Sequence, residues 1–233
     1  MELDWSEQSP HIRTLYHPWQ PGDGYKETII QAAEIQLGCR LPATLRNFYA
    51  TWGRHKDLTS RNQSLVGPDQ LVVRSDALIF CFENQAVYSW AIRHEDLDKA
   101  NPPVVGAYSL PDWEWGDVDA PLIWMPSYTH VSDFLDTLTY HHAFCGGAIH
   151  GGYTNSLRQQ EFQQAWLEQQ WQCRTVGPMV FGLVDEFSGA FPPLYIRNGQ
   201  ALTWSIGCSV AVRDIAALDE ISQALQVTWA KQW

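Results

Sequence analysis

The chain has 233 residues, 45% hydrophobic and 18% charged, which is enough apolar material for a packed core and excludes general disorder. Twenty-six acids against 15 Lys and Arg give a formal net charge of −11 and a pI near 5.0. Phosphate backbones repel such a surface, and no dense Lys/Arg run offsets it, so no nucleic-acid partner is expected. Such a surface favours fast association with a basic protein partner, or serves only to keep the chain soluble.

The N-terminus, MELDWSEQSPHIR, has no charged region followed by an apolar run, and no stretch approaches the roughly 18 apolar residues of a membrane helix. Cys39, Cys81, Cys145, Cys173 and Cys208 are scattered, with no CxxC pair. Reduced thiols in a cytoplasmic protein are the simplest account, with no membrane association.

Residues 1–24, broken by Pro10, Pro18, Pro21, Gly22 and Gly24, read as an irregular arm. A helix is predicted over Lys26 to Leu37, with Ile30, Ala33 and Leu37 on one face and Gly38 as a left-handed stop. Pro42 suits the first turn of a second helix. Leu45, Phe48, Tyr49 and Trp52 then fall at i, i+3, i+4 and i+7, one apolar stripe that belongs in a core, and Gly53 ends it.

Beyond a polar loop the texture becomes strand-like. Runs at Leu71 to Val73, Ala77 to Phe82, Ala86 to Ile92, Val104 to Tyr108 and Leu122 to Met125 are joined by links too short for helical crossovers, so the strands are expected to pair mostly antiparallel. A third helix is predicted over Val131 to Phe144. The stretch Gly146 to Gly152 reads as a linker to a C-terminal α+β extension, residues 146–233. Within it Ser156 and Gln159 form a capping box for a Gln-rich helix running to Trp171. Strands are expected at Pro178 to Val184, Leu194 to Arg197, Ala201 to Ile206 and Ser209 to Val212. A last helix over Ile215 to Thr228 places Ile215, Leu218, Ile221 and Leu225 near one face.

The order of signals in residues 25–145 resembles the SUKH superfamily, the Smi1/Knr4-like domains. The residues that carry the resemblance are Glu34, Leu37, Gly38, Leu41 and Pro42 at the helix junction, and Phe48 to Gly53 ending an aromatic helix. Glu83 and Asn84 follow at a hairpin turn, then Pro102, Pro103 and Val104 before a strand, and Ser132 to Leu135 in the closing helix. Trp-Gly at the end of the second helix departs from the usual Asn-Gly. The resemblance implies an α+β fold, a twisted mostly antiparallel sheet with flanking helices. It also implies an immunity-type protein that binds and neutralises a toxin domain, often a nuclease, or alternatively a regulatory scaffold or peptide-binding protein without a toxin.

The expected partner-binding residues are Asp112, Trp113, Glu114, Trp115, Asp117 and Asp119. They interleave carboxylates, which meet Lys or Arg, with Trp, which offers large contact area at small entropic cost. His141 and Cys145 stand four apart and can place two ligands on one metal, but the chain lacks further ligands at a diagnostic spacing, so no metal and no cofactor are expected. His94-Glu95-Asp96-Leu97-Asp98 lacks the Gly and distal Glu of a calcium loop. No G-x-S-x-G, H-E-x-x-H or P-loop motif is present, and the chain is expected not to be an enzyme.

Overall fold

A computed structural model describes residues 10–108, 121–154, 161–174, 193–204 and 207–233. It is α+β, with seven helices and two six-stranded sheets among the described residues, and every described ladder is antiparallel. No helix among them is long and apolar enough to cross a membrane. The chain divides into two compact units. One is Gln20–Asp136; the other joins residues 10–19 to residues 137–233.

In the first unit, α2 (Glu27–Leu37) buries Ile30 and Ala33. It stops at Gly38, whose φ of 70° lets its N–H reach the Ile35 carbonyl at 3.3 Å, while the Cys39 N–H reaches Glu34 O at 3.2 Å. Pro42 is the N-cap of α3 (Ala43–Trp52), one residue before the expected first turn. Leu45, Phe48, Tyr49 and Trp52 are all buried, as their spacing requires. Gly53 ends α3 with right-handed dihedrals. Its smallness serves packing, because a Cβ there would stand 2.7 Å from the Tyr25 ring and 2.8 Å from the Tyr49 backbone. A short α4 (Lys56–Thr59) follows.

The first sheet contains β1 (Ser64–Leu65), β2 (Val72–Arg74), β3 (Ala77–Phe82), β4 (Tyr88–Arg93), β5 (Val104–Tyr108) and β6 (Met125–Tyr128), in the order β1-β3-β4-β5-β6 with β2 also on β3. Ser75 and Asp76, at φ 48° and 61°, make the two-residue β2–β3 turn. At the β3–β4 turn the Glu83 carboxylate accepts the Gln85 N–H at 2.8 Å, and β4 starts at Tyr88 rather than at the expected Ala86.

The last strand comes later than the expected Leu122 to Met125. Leu122 and Trp124 instead cover one face of the sheet, over Ala77, Ile79, Ala91, Val105 and Ala107. Ser75 fixes them by accepting the Leu122 N–H and the Trp124 indole N–H, each at 2.9 Å. On the other face Phe134 packs edge-on against Phe80 and Tyr128, with ring centroids 5.1 and 5.2 Å apart. Phe134 belongs to α5 (Val131–His142), whose start is tied down by Asn101. That side chain accepts the Ser132 N–H at 3.0 Å and donates to Ser132 Oγ at 2.8 Å.

The second unit corrects three expectations. Residues 10–15 are not an irregular arm but a helix, α1 (Pro10–Leu15), with Ile12, Leu15 and Tyr16 buried. The Ile149 N–H donates to Leu15 O at 2.8 Å, and the Tyr16 hydroxyl donates to Thr139 O. The division between units falls at Asp136/Thr137, inside α5, rather than after residue 145. Gly151 and Gly152 lie not in a linker but in a strand, β7 (His150–Thr154), between β12 (Lys231–Gln232) and β11 (Cys208–Val212).

The remaining elements are α6 (Glu161–Gln170), β8 (Gln172–Arg174), β9 (Leu194–Arg197), β10 (Gln200–Trp204) and α7 (Ile215–Leu225); the sheet order is β12-β7-β11-β10-β9-β8. Asn198-Gly199, both at positive φ, make the β9–β10 turn. Leu167, Leu202, Val210, Leu218, Ile221 and Leu225 form the centre of the core with no exposed surface. Ile215, expected on the same helix face, stands 47% exposed at the helix start. Ser156, Gln159 and the expected strand at 178–184 lie outside the described residues.

Candidate functional site

Asp112, Trp113, Glu114, Trp115, Asp117 and Asp119 lie outside the described residues. The chain on either side of them is described. Tyr108 ends β5 and pairs with Tyr88 on β4; their rings meet edge-on at 4.9 Å. Met125, which opens β6, pairs with Gly106. Ile123 lies two residues before β6 in the chain.

This end of the β5–β6 pair is apolar and open. Ile123 is 81% exposed, Tyr108 48% and Met125 44%. Tyr88 lies across the backbone of Gly106, where a Cβ would stand 2.1 Å from the Tyr88 hydroxyl. The glycine therefore leaves room for a tyrosine to lie flat beside the exposed residues. Among the described residues β6 is an edge strand, with Pro126 exposed on it. Apolar and aromatic residues gathered at a sheet edge are the composition of an interface centre. Residue types alone did not reveal Tyr108, Ile123 and Met125 as site residues. Their exposure beside the β5–β6 pair is the missing signal.

The residues of the α2–α3 junction build a second feature in the same unit. Glu34 Oε1 accepts the Leu41 N–H at 3.0 Å and the Arg46 Nε–H at 3.3 Å. Arg46 also bonds Glu27, and its guanidinium holds the Glu27 carboxyl below the usual carboxylate range. Beside this brace runs an open groove of about 1270 Å³. Leu41, Pro42 and Leu97 line it as buried residues, while Ile35, Arg40 and His94 line it as exposed ones. Glu34 thus has a structural task, closing the junction, as well as a place on the groove. Glu83 likewise caps its own turn.

Of the His and Cys residues singled out, His141 and Cys145 are brought together, Nε2 to Sγ at 3.7 Å. Among the described residues no third His, Cys, Asp or Glu completes a metal cluster with them. Burial and then the neighbouring His142 pull the His141 pKa down to about 3. Cys81 and Cys208 are buried, and desolvation pushes both thiols well above their ordinary value. Protonated core thiols of this kind are poor nucleophiles. In the turn from Glu95 to Asp98 Leu97 is buried and Asp96 pairs with Lys99.

No protein-family model matches the chain, and neither does any curated protein or solved structure.

Proposed function

We propose that the chain is a non-catalytic protein-binding module of the immunity type, which neutralises a basic, nuclease-type toxin domain in the cytoplasm. The observation that carries this reading is the open apolar face of Tyr108, Ile123 and Met125 at the β5–β6 edge. The sequence between those strands holds four acids and three Trp, on a chain of net charge −11. Apolar anchors flanked by carboxylates suit a partner whose own surface is basic because it binds phosphate. Long-range attraction speeds the encounter, and buried aromatic contact slows dissociation. The order of elements that resembles the SUKH superfamily supports the same reading.

The test is affinity capture of the tagged chain from its own host's lysate at moderate salt. Co-expression of each captured domain, with and without this chain, follows. One dominant basic partner that kills cells only when this chain is absent supports the proposal. Several weak partners without protection overturn it.

The groove beside Glu34 and Arg46 favours a second reading, a regulatory scaffold that binds extended peptides. Under that reading binding is lost when Ile35 or Leu97 on the groove is replaced and survives replacement of Ile123.

A further inference from the structure

The sheet face that α5 covers runs out into an aromatic corner. Residues directly paired across strands, and alternate residues of one strand, point to the same face. Gly106 pairs with Trp90 on one side and Met125 on the other, and Tyr108 pairs with Tyr88. These five positions therefore share one face. Phe134 of α5 packs along it as far as the Trp90 ring, 5.6 Å between centroids. Beyond Trp90 the face opens: Trp90 is buried, Tyr88 half-buried, and Tyr108 and Met125 exposed. The Tyr88 ring meets the Trp90 ring at 61° and the Tyr108 ring at 85°, with centroids 5.0 and 4.9 Å away.

Two neighbouring rings at that spacing can hold one guanidinium. The second unit shows the arrangement within one chain: Arg197 lies over both Trp166 and Trp171, 5.4 and 4.8 Å from their centroids, which are 6.1 Å apart. The Tyr88–Tyr108 corner stands at the surface, and the charge of the surrounding sequence selects the same kind of guest. From residue 100 to residue 157 there are six acids and no Lys or Arg. We propose that this corner seats one Arg side chain of the protein partner, with its guanidinium on the Tyr88 and Tyr108 rings and its methylenes against Met125. The proposal rests on the reading of a basic partner and names the group that partner presents. Arg suits the seat better than Lys, because its planar, weakly hydrated guanidinium stacks on an aromatic ring while an ammonium holds its water. Gly106 is part of the design, since a side chain there would displace the Tyr88 ring.

The probe is a synthetic (Gly-Arg)4 peptide, titrated into the full chain beside (Gly-Lys)4, which carries the same charge. The methionine methyl signals are followed by NMR. (Gly-Arg)4 is expected to shift the Met125 methyl and to bind about fivefold or more tighter than (Gly-Lys)4. Tyr108→Leu, at an exposed position, keeps the far-UV circular dichroism of the wild type and loses the preference for Arg. Tyr108→Phe keeps the ring and the preference. Equal affinity for the two peptides in the wild type assigns the attraction to charge alone and overturns the seat. Absence of binding, or an Arg preference that survives in Tyr108→Leu, overturns it equally. Protection of cells against a captured domain is read separately. A missing Arg preference with protection intact removes only the seat, and an Arg preference without protection removes only the toxin.

Discussion

Trp233 and Gly151 exchange both main-chain hydrogen bonds, N to O at 3.2 Å in each direction. The Trp233 indole fills the space where a Gly151 side chain would stand, with a Cβ only 2.3 Å from the ring. Gly152 repeats the relationship on the opposite face, where a Cβ would lie 2.8 Å from the Trp229 ring. Two successive glycines thus let two tryptophans clasp one strand. Gly151→Val and Gly152→Val are each expected to destabilise the second unit by about 1–3 kcal/mol through overpacking. Urea unfolding followed by Trp fluorescence measures this. A midpoint unchanged in both variants contradicts the clasp.

The Glu34 carboxylate serves a backbone N–H and a guanidinium at once. Glu34→Ala leaves Leu41 N–H and Arg46 without that acceptor and is expected to cost about 1–3 kcal/mol. Arg46→Ala removes its bonds to Glu34 and to the more exposed Glu27 but keeps the Leu41 N–H bond, and is expected to cost less. The ranking of the two variants in thermal unfolding is the check. A larger loss for Arg46→Ala means that the ion pair, not the junction, dominates.

Asn101 caps α5 from the Pro102-Pro103 side. Asn101→Ala is expected to lower stability by about 1 kcal/mol. Asn101→Asp retains the acceptor and should recover most of it. Equal losses in the two variants would show that the bond donated to Ser132 Oγ matters more than the one accepted from its N–H.

His141 has its pKa pulled from 6.5 to about 3 by burial. The unfolded chain therefore binds a proton below pH 6.5 that the folded chain refuses until about pH 3. Stability falls as pH drops through that window, by up to about 1.4 kcal/mol per pH unit from this group. Denaturation midpoints of wild type and His141→Gln, measured from pH 7 to pH 4, isolate it from the carboxylates. The variant's curve should be flatter, and parallel curves would refute the assignment.

Ile123 is 81% exposed, so Ile123→Asp is expected to change stability by no more than about 0.5 kcal/mol. If the β5–β6 face meets the partner, the same change weakens association by about tenfold or more, as loss of an apolar anchor does. Calorimetric titration of the purified partner measures it. Unaltered affinity moves the interface elsewhere.

Local signals were legible where local physics decides. The stripe Leu45, Phe48, Tyr49, Trp52 specified a buried helix face, and β3 occupies the residues expected of it. Reading failed where the partner is far away in sequence. Ile12, Leu15 and Tyr16 look like an arm broken by prolines until β10, β11 and Thr139 are placed around them. Gly151 and Gly152 look flexible until Trp229 and Trp233 arrive. The site divides in the same way. Glu34, Leu41 and Pro42 were recognisable as a junction. The exposure of Tyr108, Ile123 and Met125 depends on which strand ends up at the sheet edge, a property no residue carries alone.

The docking of α1 has a consequence for synthesis. Its chain neighbours from Gln20 onward build a different unit, and the Arg13 carbonyl finds the Arg213 guanidinium at 3.5 Å across a sequence separation of 200 residues. At ribosomal rates of about 5–20 residues per second, the helix waits roughly 10–40 s for the strands that cover it. During that interval Ile12, Leu15 and Tyr16 lack the cover of β10 and β11 in a nascent chain whose first unit can already close. Made about 200 residues ahead of Arg213, α1 is among the last elements of its unit to be fully sheltered.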